Sequence, residues 1–278
     1  MRILYFILIA FMWLGNIIAQ DRQASQGVYR VPYANGTQVL IWQDHITHSG
    51  TEPEIDMAGI NGTEPYRIVA AEDGEIMFIE DGFSATTSGN PCNNNYVWIA
   101  HPNGEWTKYS HFTQNSVSGN AALSVGDQVC AGRFLGFEDD VGCANGEHLH
   151  FEVGIPFDLA DPITSGGFIK GDEFIPIICT ISGNVFVQGN SYTAGPCGSC
   201  SATLNNSFGN FTNLEYDIDI ASSQVNAGTN VVFNAGSTGA YRAGRRVVLT
   251  SGFHAKSGSH FYAAIRECNS SPGNPNCN

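Results

Sequence analysis

The chain has 278 residues and a formal net charge of −14 at pH 7, which argues against a nucleic-acid binder. Its 42% hydrophobic content rules out a wholly disordered chain. With 32 Gly and only three Lys, it favours strands and tight turns over long surface helices.

Arg2 precedes an apolar run from Ile3 to Leu14, and small residues follow, with Ala19 a suitable last residue before cleavage. The run is short for a membrane span, and no stop-transfer segment follows it. Residues 1–20 therefore read as a secretory signal peptide, with an uncleaved anchor as the alternative. The mature chain is expected to be exported, to the periplasm, cell surface or medium. No stable membrane insertion is expected, because no later stretch approaches 18 uninterrupted apolar residues.

Beyond the leader, short strands are predicted in series. Tyr66 to Ile79 reads as two strands around Asp73-Gly74. Asn95 to His101 and Glu105 to Phe112 are rich in β-formers and flank Pro102-Asn103-Gly104, so they read as a hairpin. Val125 to Gly136 gives two more short strands, and Glu147 to Val153 another. No 12-residue window of the mature chain has convincing helical periodicity. Residues 21–200 are thus expected to form one all-β, antiparallel domain.

A boundary is expected near Cys200, where Ser- and Asn-rich sequence begins. Charge changes there too: residues 21–200 hold six basic and 22 acidic side chains, and residues 201–278 hold five and four. Asn226-Ala-Gly-Thr-Asn-Val-Val-Phe aligns with Arg242-Ala-Gly-Arg-Arg-Val-Val-Leu, and Lys256-Ser-Gly-Ser is a looser third copy. The glycine offsets are 16 and 14 residues (Gly228, Gly244, Gly258). Residues 201–278 therefore read as a small β-repeat, solenoid-like module.

Eight cysteines follow the leader: Cys92, Cys130, Cys143, Cys179, Cys197, Cys200, Cys268 and Cys277. An even number in an exported chain points to disulfides, without fixing their pairing. Cys197-Gly-Ser-Cys200 lacks a second such pair at zinc-ribbon spacing, which favours structural bridging. A Cys130–Cys143 bridge would brace the segment leading to His148; separate partners are the alternative.

Five residues carry the candidate chemistry: His48, Asp56, His111, His148 and His150. On a strand, residues two apart leave the same face about 6.6 Å apart, so one imidazole of His148-Leu149-His150 can bind a metal while the other reaches water or substrate. Zinc accepts His nitrogen and Asp oxygen, and a catalytic zinc site keeps three protein ligands and one open position. His48, Asp56 and one His of the pair supply that number. Any one of these histidines alone is more often structural; the ordered set is much harder to obtain by chance.

The text around them resembles the M23 (lysostaphin/LytM-type) zinc endopeptidases from about Trp42 to Val153. Ile68-Val-Ala-Ala-Glu-Asp-Gly-Glu-Ile is similar to that family's strand pair. Asn95 to Gly104 with Tyr109-Ser-His-Phe is similar to its hairpin, and Gly146-Glu-His-Leu-His-Phe-Glu-Val153 to its last motif. The resemblance implies an M23-like catalytic domain in which His48, Asp56 and His150 bind Zn²⁺. His111 and His148 would then act on the attacking water and the tetrahedral intermediate. It also implies hydrolysis of peptidoglycan, or of another extended peptide lying in a shallow β groove. One departure stands out. The family's first His is usually followed by Asp four residues on, whereas His48 and Asp56 are eight apart; Glu52 fills the four-residue slot, and His45 is an alternative first ligand.

The C-terminal repeat resembles small β modules at the ends of secreted Bacteroidetes proteins. That implies an accessory role, with His254 and His260 structural or on the surface. A catalytically inactive M23-like cell-wall or surface-binding protein is the second reading. A cupin-like metal enzyme is the third, and it fails because the downstream acid, Glu152, follows too soon.

Overall fold

The computed structural model describes residues 23–48, 53–62, 64–84, 93–158, 171–198, 201–228 and 230–265. The expected signal peptide, Glu52, Cys92, Cys200, Cys268 and Cys277 lie outside them. The described chain is almost entirely β, as expected, with single helical turns at Ser116–Asn120 and Ser182–Asn184. None of its helices is long and apolar enough to cross a membrane.

The first twelve strands are β1 (Gln23–Ala24), β2 (Gln38–Gln43), β3 (Ile55–Gly59), β4 (Arg67–Val69), β5 (Gly74–Glu80), β6 (Tyr96–Ala100), β7 (Trp106–Ser110), β8 (Gln128–Val129), β9 (Phe134–Phe137), β10 (Leu149–Pro156), β11 (Gly171–Ile175) and β12 (Ser191–Thr193). Eight of them run as antiparallel neighbours in the order β12-β2-β3-β10-β7-β6-β5-β8. β11 continues the sheet beyond β10 and pairs in parallel with β1. The expected hairpin is β6–β7, with Tyr96 opposite Ser110 and Ala100 opposite Trp106. Its turn closes with Gly104 at φ 88°, a conformation that costs glycine little. The strands predicted on either side of Asp73-Gly74 also form, but do not pair with each other. β4 pairs with β9, and β5 lies between β6 and β8. Four residues, 70–73, separate the two strands, so the chain leaves one sheet and enters the other.

Alternation along the central strands divides chemistry from core. Ile55 and Met57 of β3, Val97 and Ile99 of β6, Tyr109 of β7, and Leu149, Phe151 and Val153 of β10 are fully buried in one cluster. Each such side chain contributes about 1.5–3 kcal/mol by leaving water. The intervening positions face the other way. There His150 lies opposite both Asp56 and Ser110, and Glu152 opposite Lys108.

The remaining strands are β13 (Thr203–Asn206), β14 (Gly209–Phe211), β15 (Tyr216–Ala221), β16 (Gln224–Ala227), β17 (Val231–Phe233), β18 (Thr238–Ala243), β19 (Arg246–Leu249), β20 (His254–Ala255) and β21 (His260–Ile265). They make three parallel sheets, β13-β16-β19, β14-β17-β20 and β15-β18-β21. Successive coils thus stack with equivalent residues 22 apart, as in Gln224 on Arg246 or Tyr216 on Thr238 on His260, and 21 apart between β13 and β16. The expected offsets of 16 and 14 are not the structural period. Asn226-Ala-Gly and Arg242-Ala-Gly are alike because each ends a strand before a turn, but they lie in different sheets. The true partner of Ala243 is Ala221, and that of Ala227 is Leu249. His254 is exposed and His260 half-buried.

The coils rest on the sheet unit through a shared apolar cluster. Ala24, Val28, Ile175, Ile177 and Val185 pack with Ile218, Ile220 and Ala240. A Cys179–Cys197 disulfide borders it. Cys130 and Cys143 are each disulfide-bonded as well.

Candidate metal and catalytic centre

Four segments converge on the polar face of the large sheet. Asp56 comes from β3 and His150 from β10, paired in register across the two strands. His148 immediately precedes β10. His48 closes the turn after β2. In that turn the Asp44 carboxylate accepts hydrogen bonds from the amides of Ile46 and Thr47 and from the Thr47 hydroxyl, and the His48 amide donates to the Asp44 carbonyl at 2.9 Å. This local network orders the turn.

His111 enters differently. It follows β7 with the parity of Tyr109, which would aim it into the apolar core. Its φ of 69° breaks the alternation. A left-handed backbone is costly for a residue other than glycine and is retained where surrounding contacts impose it. Here the His111 amide donates to the Asn95 carbonyl at 2.8 Å, and its ring lies 4.6 Å from that of His148.

The five predicted residues surround a cavity of about 410 Å³, also lined by Trp42, Glu54, Lys108 and Asn94. His48 Nδ1 lies 2.8 Å from Glu54 Oε2, and its Nε2 3.4 Å from Asp56 Oδ2. His150 Nδ1 lies 3.0 Å from Asp56 Oδ1, and His148 Nε2 3.4 Å from the same oxygen. One donor atom each from His48, Asp56 and His150 fall within 4.8 Å of one another. Two nitrogens and one carboxylate oxygen at that spacing fit a catalytic zinc ion with one position left open. Glu54, His150 and Glu152 form a second such group. The Lys108 ammonium, 2.5 Å from Glu152, already neutralises it, which favours the first group. His45, the alternative ligand, packs its ring edge-on against Tyr216 at 5.1 Å and does not line the cavity.

The electrostatics are those of a cation site. Burial alone would raise Asp56, but hydrogen bonds from His148, His150 and His48 hold its carboxyl well below the usual carboxylate range. Burial alone would lower His48 and His150. Hydrogen bonds to Asp56 and Glu54 instead lift His48 to about 9, and those to Asp56 and Glu152 lift His150 to about 10. A cation arriving there displaces protons. His111 goes the other way, pushed down to about 3 by burial and then by its neighbours His148 and His150. It stays neutral at ordinary pH and can accept a hydrogen bond.

Four participants escape a reading built on the five residues. Glu152 lies 2.7 Å from His150 Nε2, leaving Nδ1 to face Asp56. Lys108 and Glu152 are each only 1% exposed, so neither charge is stable without the other. Glu54 holds the far side of His48. Strand parity was the available signal: Glu54, Asp56 and Glu152 sit two residues from one another or from His150, on the same face. Trp42 also went unnoticed; its ring stacks on His148 at 5.3 Å and 27°.

Comparison with known proteins places this centre in a recognised sequence context. Residues 50–162 match the model for peptidase family M23. Asp56, His111, His148 and His150 fall inside that stretch, and His48 lies two residues before it. The chain is 36% identical over 84 residues to the peptidoglycan DD-endopeptidase ShyC of Vibrio cholerae serotype O1. That match spans 30% of this chain and 18% of the relative. Among solved structures, the catalytic domain of lysostaphin from Staphylococcus simulans is similar at 23% identity, covering 50% of this chain and 90% of that one, with a TM-score of 0.29. A zinc-containing peptidase from Vibrio cholerae is similar at 18% identity, covering 48% and 35%, with a TM-score of 0.28.

Proposed function

We propose that this chain, through the M23-type domain matched over residues 50–162, is an exported zinc-dependent endopeptidase that cleaves peptide bonds of peptidoglycan. The observation that carries the reading is the convergence of His48, Asp56 and His150 beside two further histidines in one cavity. His48, Asp56 and His150 would hold the zinc. Zinc, when bound, supplies Lewis acidity toward water and the scissile carbonyl. The chain's own residues supply the proton chemistry. His111 and His148 each set Nδ1 against a backbone carbonyl, of Val141 and of Gly146, at 2.8 Å. Nδ1 donates there. Nε2 of His148 lies 3.4 Å from Asp56 Oδ1 and is placed to donate, whereas Nε2 of His111 is the one left to take the proton of water. Once protonated, it donates to the developing oxyanion or the leaving amine. The peptidoglycan substrate is supported by the named activity of the Vibrio relative. In this reading residues 201–278 form an accessory unit, and the leader of residues 1–20 directs export.

The test is zinc content of the purified chain together with hydrolysis of purified peptidoglycan, with and without chelator. About one zinc per chain and chelator-sensitive release of amines are expected. His150→Ala loses zinc and activity together, whereas His111→Ala loses activity, by about 10²–10⁴-fold, and keeps zinc. Unchanged hydrolysis in both variants overturns the mechanism. Zinc without hydrolysis favours a wall-binding role.

A further inference from the structure

Two successive asparagines, Asn94 and Asn95, lead into β6, and their carboxamides are used differently. Asn95 is fully buried and saturated. Its Oδ1 accepts the Phe83 amide at 3.0 Å, and its Nδ2 donates to the carbonyls of Phe83 and Phe112 at 2.8 and 2.9 Å. Asn94 is only 6% exposed, yet it lines the cavity. Its Oδ1 accepts the His111 amide at 3.3 Å, the longer arm of a bond that the Asn95 carbonyl shares at 2.8 Å. A backbone amide only donates, so the carboxamide oxygen is the atom turned to His111. No acceptor among the described residues meets the Asn94 NH2. Nor is that nitrogen sealed in the interior, as the Ser110 hydroxyl is. Gly142 closes the other side: a Cβ there would meet Asn94 Oδ1 at 2.9 Å and its Cα at 3.0 Å. The NH2 is therefore the group that Asn94 offers to the cavity.

We propose that Asn94 is a substrate-binding residue whose NH2 donates to a backbone carbonyl of the peptide held in the cavity. An extended peptide brings carbonyls as well as amides, and a carbonyl only accepts. The wall has few donors to spare for it. Glu54 and Asp56 offer carboxylate oxygens, the Gln43 NH2 donates to the Thr47 carbonyl at 3.1 Å, and the Lys108 ammonium is held by Glu152. Asn94 supplies a neutral donor that is already in place. Anchored through its oxygen and packed under Gly142, it has little freedom left to lose on binding. A carbonyl that entered the cavity without this donor would give up water and gain no partner. The proposal rests on the reading of the cavity as a peptidase centre.

Two variants separate the donor from its anchor. Asn94→Asp keeps an oxygen for the His111 amide and loses the NH2, whereas Asn94→Ala loses both. With the full-length, zinc-loaded chain acting on purified peptidoglycan, both variants are expected to raise KM about 10- to 100-fold. kcat is expected to stay within about 2-fold, because the bond is made in the ground state and the transition state alike. Zinc content should hold in both, and only Asn94→Ala should lower the melting temperature. Side-chain amide NMR gives a readout without turnover. The Asn94 NH2 signal, assigned by its absence in Asn94→Asp, should move when uncross-linked peptidoglycan stem peptides are titrated into the zinc-loaded protein. A merely structural Asn94 gives the opposite pattern, with Asn94→Asp like the native chain and Asn94→Ala losing stability and kcat. That pattern, or an NH2 signal that stays in place throughout the titration, overturns the proposal. Absence of zinc or of hydrolysis in the native chain overturns the peptidase reading instead, and the NH2 signal still decides whether Asn94 meets the peptide.

Discussion

The sheet unit and the coils use the same strand-forming residues to opposite ends. In the sheet, β10 lies antiparallel between β3 and β7, which come from far away in the chain, and these ladders bring unlike residues together: Asp56 beside His150, Lys108 beside Glu152. In the coils, each strand lies parallel on the strand of the next coil, and several rungs pair like with like. Phe211 stacks on Phe233 at 4.9 Å, and Asn226 donates to Asn205. Unlike pairing builds a constellation of five ionisable side chains; like pairing builds ladders whose contribution is packing. A β-rich composition therefore says little about where chemistry resides, whereas strand pairing says a good deal.

The largest effect that sharpens this contrast is expected at Phe233. It is fully buried and touches the rings of Phe211, Tyr241, Phe253 and Phe261. Phe233→Ala should cost about 3–5 kcal/mol in denaturant unfolding of the coils. Zinc content should not change; loss of zinc as well would show that the two units do not act separately.

Next come opposite responses to pH. Burial pushes His101 down to about 4, with its ring nitrogens held by the Asp73 carbonyl and the Thr107 hydroxyl. Its folded pKa lies below the unfolded value of about 6.5, so its contribution is complete above that pH. The contribution is lost as pH falls toward 4, by up to about 3 kcal/mol. In the coils, burial and then the charge of Asp217 raise Asp219 to about 6. Its folded pKa lies above the unfolded value, so its contribution is complete below about pH 4 and is lost as pH rises through 6. His101→Gln should flatten the acid side of the melting-temperature profile. Asp219→Asn should flatten the rise-in-pH side, by a smaller amount because that group is only partly buried. Profiles unchanged by either variant would remove the contrast.

The smallest effect lies where the two units touch the centre. The Tyr216 ring, from the coils, meets His45, three residues before His48. Tyr216→Ala should cost about 1 kcal/mol and weaken zinc binding by a few-fold, read by competition with a chelator. Tyr216→Phe should restore it. Full zinc affinity in the alanine variant would mean that the turn after β2 stands on its Asp44 network alone.

How much was legible follows from how local each signal is. The β6–β7 hairpin was readable because an Asn-Gly turn between two runs of β-formers is complete within about 16 residues. The His148–His150 pair was readable because period two puts both rings on one face. Glu152 obeys the same rule, yet its partner Lys108 is 44 residues away, and nothing local announces that they meet. The coil period was misread because strand ends resemble one another locally, while the true equivalence of Ala221 and Ala243 exists only once the coils close.

The sequence by itself determined the β class, the hairpin and the ordered set of histidines and aspartate, since composition, turn chemistry and strand parity act over a few residues. Tertiary structure alone decided that His48 reaches Asp56 across an eight-residue offset, that β4 and β5 part company, and that His111 leaves its strand's parity to join His148. It alone decided that Val141 and Gly146 offer their carbonyls to those two rings. The last of these depends on backbone groups, which every residue carries alike. Which carbonyl meets which imidazole is set by the path of the whole chain.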